Sequence, residues 1–142
     1  MMRWIFYAMG TAVILALADF LVKQASGKLS NSLALFIFGS CTFLVGLSWL
    51  AWQKYQGVVH FAQPAGILAA IGVGFSFSFV TLGLYITFGA GAPISLASPV
   101  VRVGGMLLAS IAGLIILQEP FTWRYAAGVL LACSGIYLIL TR

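Results

Sequence analysis

Long apolar stretches alternate with short polar connections along the whole chain. Five stretches have the length of membrane-spanning helices, since about 17–25 apolar residues cross a bilayer core. They cover approximately residues 4–22, 32–52, 64–88, 94–117 and 124–140. The segment FSFSF at residues 75–79 alternates as a strand does. It lies inside an apolar stretch, however, and an isolated strand cannot satisfy its backbone in lipid. The pattern predicts an all-α membrane protein with five transmembrane helices.

The connections between these helices are KQASGKLSN, QKYQGVVHFAQ, GAGAP and QEPFTWR. None of them is long enough to hold a soluble domain. We therefore expect a single transmembrane domain over residues 1–142.

The composition supports a membrane location. Hydrophobic residues make up 63% of the chain and charged residues only 6%, whereas soluble domains are about a quarter charged. The formal net charge of +5 is spread singly over the helix ends. This distribution favours anchoring by membrane lipids over nucleic-acid binding. The expected location is the cytoplasmic (inner) membrane, with several passes.

Few side chains are available for catalysis. The chain has two carboxylates, Asp19 and Glu119, and one histidine, His60, which lies in a connection. Cys41 and Cys133 lie within predicted helices and show no metal-ligand spacing. We expect neither an enzyme nor a bound metal or cofactor, with proton coupling as the remaining chemistry. Glu119 precedes Pro120 and is interpreted as a helix-end or interface residue.

Asp19 and Arg102 are the ionisable residues inside predicted helices, away from their ends. A charge at membrane depth costs several kcal/mol, so such residues pair or serve transport. Asp19 lies four residues before Lys23, and Arg102 eight residues into helix 4. Helical side chains lean toward their own N-terminus, which brings the two heads toward one depth. Two interpretations follow: a structural ion pair, or a site where Arg102 holds an anionic or carbonyl group and Asp19 balances it or carries a proton.

Polar residues on helices 3 and 4 extend this candidate site. Ser78, Thr81 and Tyr85 recur on one face of helix 3 together with Gly74. Ser98 shares a face of helix 4 with Arg102, and Pro99 removes a backbone donor there, which predicts a kink. These faces are predicted to line one cavity. The alternative is that small and hydroxyl residues only allow close helix packing, as is favoured for Gly39, Gly46 and the run Gly128, Ala132 and Gly135.

The loop charges assign no orientation. Arg3, Lys54 and Arg124 fall on one side, here called side A. Lys23, Lys28 and Arg142 fall on the opposite side B. Cytoplasmic loops normally carry excess Lys and Arg, so three against three allows insertion both ways and permits an antiparallel dimer. All four tryptophans, at positions 4, 49, 52 and 123, fall on side A.

Several motifs in order resemble the EamA-like domain of the drug/metabolite transporter superfamily. Helix 1 ends ALADFLVKQA, and the second half reads ASPVVRVGGMLLASIAGLIILQEPFTWRYAAGVLLACSGIYLI. Pro99, Glu119, Gly128 and Gly135 occupy the family's positions for a helix-4 proline, a glutamate at its end and spaced helix-5 glycines. The chain resembles a single-domain, five-helix member. The related four-helix small multidrug resistance group has a helix-1 glutamate where this chain has Leu15, which argues against multidrug cation–proton exchange.

The predicted function is a secondary transporter of a small polar or amphipathic metabolite. Five helices cannot hold two inverted halves, so alternating access around a midplane site requires a ten-helix antiparallel homodimer or a paralogous partner chain. Arg102 would orient the substrate and Asp19 would balance it or relay a proton. Ser78, Thr81, Tyr85 and Ser98 would supply hydrogen bonds. The alternatives are a subunit of a lipid-linked sugar flippase, and a non-transporting subunit with a structural Asp19–Arg102 pair.

Overall fold

The computed structural model describes residues 3–141 and contains five α-helices in that range. They are α1 (Arg3–Ala25), α2 (Asn31–Tyr55), α3 (Pro64–Gly89), α4 (Ile94–Ile116) and α5 (Trp123–Leu140). No strand occurs among the described residues. All five helices are long and apolar enough to cross a membrane. The chain is therefore a multi-pass, all-helical membrane protein, and the prediction of five helices is confirmed.

The helix ends differ modestly from the sequence prediction. The first helix continues past Val22 to Ala25 and so includes Lys23 and Gln24. The second continues to Tyr55 and includes Lys54. Long polar side chains can lay their apolar stems along a helix and keep their heads at the interface, so polarity alone does not end these helices. Arg142, assigned to side B from the sequence, lies outside the described residues.

Local sequence signals explain most helix boundaries. The Ser30 hydroxyl accepts a hydrogen bond from the Leu33 amide at the start of α2, and Thr122 caps Tyr125 in the same way before α5. These side chains satisfy amides that have no partner within the helix. Gly27 turns the chain between α1 and α2 at φ +78°, a backbone conformation that costs little only for glycine.

The chain divides into two compact units, the first covering Met1–Ala90. In this unit α3 packs against both α1 and α2. Its buried side chains are few: Asp19, Ala34, Thr81, Leu84 and Phe88. The large apolar side chains of its helices are mostly exposed, which suits a surface that faces lipid tails.

The second unit covers Gly91–Arg142 and is formed by α4 packed against α5. Ala97 and Gly113 are its buried positions among the described residues. Gln118 has φ 53°, and the Glu119 amide donates to the Gly113 carbonyl at 3.3 Å. The chain thus folds back on the last turn of α4 before α5 begins.

Candidate functional site

Asp19 is the most buried ionisable side chain among the described residues of the first unit. It is 4% exposed, and no other described residue of α1 is buried. Most of the helix exposes apolar side chains, and the buried position of α1 is occupied by a carboxylate. A carboxylate in such a position requires interaction partners, and Asp19 has one.

The next residue on the same face of α1, Lys23, contacts α3 directly. Its Nζ donates to the Phe88 carbonyl at 3.4 Å and lies 5.7 Å from the centre of the Phe88 ring. Phe88 is only 2% exposed. A cation near the last carbonyls of a helix is favourable because it meets the negative end of the helix dipole. Lys23 therefore holds the C-terminal ends of α1 and α3 together.

This contact places Asp19 relative to α3. Because Lys23 meets Phe88 and both helices end nearby, residues equally far before these two lie at similar heights. Asp19 is four residues before Lys23, and Leu84 is four residues before Phe88. Asp19 is therefore level with Leu84, roughly 6 Å below the contact. Thr81 lies about one turn deeper and is 8% exposed. Asp19 and Thr81 are thus the two buried polar residues at the helix interfaces of this unit.

Tyr85 lines a recess that we call the side-B crevice. The crevice lies between the three helices of the first unit and has a volume of about 590 Å³. Its lining includes Ala18, Val22, Ala25, Ala34, Cys41 and Tyr85. Gln24 and Leu29 also line it. The crevice is mainly apolar, with a phenol, a thiol and an amide as its polar groups.

Ser78 borders a different recess from Tyr85. Its hydroxyl donates to the Gly74 carbonyl at 2.9 Å, so its hydrogen is used within α3. Ser78 and Gly74 line an apolar groove of about 780 Å³ between α2 and α3, together with Gly39 and Thr42. The polar stripe predicted on α3 therefore contributes to two recesses and to the buried position of Thr81.

The second unit holds the remaining predicted site residues on α4. Ser98 and Arg102 are four residues apart, hence on one face of the helix, and both are half-buried. Each of them interacts with another group. Pro99 lies inside α4 without ending it. Since proline has no amide hydrogen, the Ser95 carbonyl lacks its usual partner within the helix.

Glu119 lies against α4 in the second unit. An ideal Cβ built at Gly113 would come within 2.9 Å of Glu119 Oε2. Only a residue without a side chain leaves this space for the carboxylate in its present position. The Glu119 side chain belongs to the exposed turn after α4, in keeping with its interpretation as a helix-end residue.

Two features escaped the sequence analysis. The sequence predicts neither the contact of Lys23 with α3 nor the place of Gln24 and Cys41 in the lining of a recess. The spacing of Asp19 and Lys23 at i and i+4 was a usable signal, because it puts both on one face. Nothing in the sequence pairs that face with Phe88, since the partner of a helix face is set by tertiary packing.

The chain matches no protein-family model, no curated protein and no solved structure at a significant level. The resemblance to the EamA-like domain thus rests on the quoted residues alone. Within residues 3–141, no group of three or more His, Cys, Asp and Glu side chains is arranged to hold a metal ion.

Proposed function

We propose that the chain is a secondary transporter for a small polar or amphipathic metabolite, with Asp19 as its central ionisable group. The observation that carries this proposal is the burial of Asp19 in a chain with very few buried side chains. Intramembrane carboxylates are costly, and they commonly mark substrate or proton pathways.

The surroundings of Asp19 support a role in proton or counter-ion handling. It lies about one turn below the Lys23–Phe88 contact, so a short movement of Lys23 or Phe88 brings it into contact with interfacial water. Thr81 supplies a hydroxyl about one turn deeper. In the proposed cycle Asp19 is shielded in one state and solvated in the other, which is the requirement of alternating access.

Arg102 is the proposed substrate-orienting residue. A guanidinium presents a planar set of donors that matches a carboxylate or phosphate. Ser98 on the same face of α4 adds a hydroxyl. Tyr85 and Ser78 supply further hydrogen-bonding groups in the first unit. The proposed assembly is an antiparallel homodimer in the inner membrane, because five helices hold only half of an inverted-repeat transporter.

A ligand screen tests the proposal directly. The purified protein should be stabilised against thermal unfolding by one class of metabolite, since a ligand that binds the folded state stabilises it by mass action. At a concentration 100 times Kd the expected gain is about 2.7 kcal/mol. Arg102→Gln should remove the response. Lys54→Gln, in the last turn of α2, should keep it. Equal responses in all three proteins would refute the assignment of Arg102.

Dual topology is the first prediction for the assembly. Reporters fused to the C-terminus should give signal on both sides of the membrane, because the predicted loop charges balance at three against three. Two lysines added to QKYQG or to KQASG should drive a single orientation. Uniform orientation of the unmodified chain would contradict the inverted homodimer.

The α5 glycines provide the second prediction. A Cβ added at Gly128 meets no atom within 4 Å, and the position is exposed, so a side chain can start there without a clash at its Cβ. If Gly128 and Ala132 form the face where two chains approach, Gly128→Leu should reduce the dimer content several-fold. Leu130→Ala is the matched control on an exposed position of the same helix. Chemical crosslinking in native membranes measures both, and equal dimer content would count against this interface.

A flippase subunit for a lipid-linked sugar is the second candidate function. The groove between α2 and α3 supports it, because the groove has an apolar lining and a volume of about 780 Å³, which suits a hydrocarbon chain. This role predicts an obligatory, different partner chain. Co-purification of such a chain at a fixed ratio, with no homodimer, would favour it over the metabolite transporter.

A further inference from the structure

The side-B crevice combines an apolar interior with a cation at its rim. Part of the interior is formed by Val22 and Ala25 of α1 and by Ala34 of α2. No charged side chain among the described residues lines it. The volume of about 590 Å³ is within the usual range of ligand pockets, roughly 300–1,000 Å³. A small, highly polar solute would lose its hydration in this mainly apolar interior and gain few partners.

The rim is formed where α1 ends and the chain turns toward α2. Gln24 lines the crevice, and its Oε1 accepts a hydrogen bond from Lys28 Nζ at 3.5 Å. Gly27 at φ +78° makes the turn that brings Lys28 back over Gln24. Leu29, next to Lys28, contributes to the lining. The ammonium group therefore lies beside the opening, three residues beyond the end of α1 at the expected membrane surface.

We propose that the side-B crevice is a binding site for an anionic phospholipid. One acyl chain lies in the apolar interior, and the phosphate contacts the Lys28 ammonium with the Gln24 amide beside it. The order of chemistry along the crevice matches the lipid, since the apolar part lies among transmembrane helices and the cation lies at headgroup height. An anionic headgroup is favoured over a zwitterionic one by roughly 1 kcal/mol per basic residue near the surface.

Tyr85 lines the crevice and also belongs to the proposed transport site, but the proposed phosphate contacts, Lys28 and Gln24, take no part in the proposed transport. The ligand of this site would be a bound lipid that fills the space where α1 and α2 both border the crevice. Asp19 and Thr81 take no part in it. Lys28→Gln should therefore lower lipid retention without changing transport, and Asp19→Asn should remove transport without changing lipid retention, so the two proposals can fail separately.

Native mass spectrometry of the full chain in a nonionic detergent tests the site. Phosphatidylglycerol and phosphatidylcholine with identical acyl chains are the probes. Wild type should retain phosphatidylglycerol about fivefold better, as expected for one basic contact near the surface. Lys28→Gln should abolish the preference and Lys28→Arg should keep it. Lys54→Gln, at the other end of α2, should change nothing.

A second variant tests the apolar interior. Ala18 is exposed toward the crevice, so Ala18→Phe should fill it and lower retention of both lipids. Ala51→Phe, on an exposed position of α2 outside the crevice, is its control. In a Cys133→Ala background, phosphatidylglycerol should also slow alkylation of Cys41, an exposed thiol in the lining.

Three results would overturn the proposal. One is equal retention of the two lipids by wild type. Another is a phosphatidylglycerol preference that survives Lys28→Gln. The third is protection of Cys41 that rises with protein concentration and not with lipid, which would identify a second copy of the chain as the occupant.

Discussion

Asp19→Asn should abolish substrate-driven transport while the protein still inserts and folds. Asparagine keeps the size and planar shape of the side chain, but it replaces one acceptor oxygen with an NH2 donor, carries no charge and releases no proton. The measurement is uptake in proteoliposomes, with the metabolite found by the thermal screen. Glu119→Gln is the matched control, since Glu119 is the other carboxylate of the chain and lies on an exposed turn. It should retain near-normal transport.

Arg102→Gln completes the same experiment. If Asp19 and Arg102 form a structural pair, each single change leaves a lone charge and should destabilise the protein more than the double change does. Polar couplings in membranes average about 0.6 kcal/mol, so the double variant should remain folded. If Arg102 orients substrate, the folded double variant should show no uptake. Arg102→Lys should restore folding only in part, because an ammonium lacks the planar fork of a guanidinium.

The folded double variant decides between the two interpretations. Near-normal uptake by it would reduce Arg102 to a structural residue and remove it from the site. Folding and insertion are checked by monodispersity and by helical content before any uptake is measured. Loss of uptake in a protein that passes these checks assigns the function to the charges themselves.

Phe88→Ala should produce the largest loss of stability among single substitutions in the first unit. The ring is 2% exposed, and the Lys23 ammonium lies 5.7 Å from its centre. Removing it leaves a cavity and ends the cation–ring contact. The transfer part of the cost is reduced in lipid, where exposed apolar groups are not in water. The expected loss is therefore about 2–3 kcal/mol, below the upper range of soluble proteins.

Phe79→Ala is the control for this loss. Phe79 lies on the same helix but is 70% exposed, so its removal should cost about 0.5 kcal/mol or less. Unfolding in mixed micelles of increasing denaturing detergent measures both variants. Similar losses for the two would show that Phe88 does not hold α1 to α3. A selective loss at Phe88 is the result expected if the buried ring holds α1 to α3.

The fold class could be predicted from the chain because it depends on local quantities. An apolar stretch of sufficient length forms a helix in lipid whatever it packs against, since its backbone has no other way to satisfy its hydrogen bonds. The breaks at Pro64 and Pro93, and at the turn glycines, are equally local. The same reasoning singled out Asp19, because a carboxylate inside an apolar helix is conspicuous before any neighbour is known.

The surroundings of Asp19 required the tertiary structure. Helical periodicity puts Asp19 and Lys23 on one face, but it cannot say that this face meets Phe88. It likewise grouped Ser78 with Tyr85, which border different recesses because α3 has neighbours on two sides. The crevice with Lys28 at its rim arises only when the turn at Gly27 returns the chain over Gln24. Sequence pattern determines which residues share a face, whereas packing between helices decides what each face encloses.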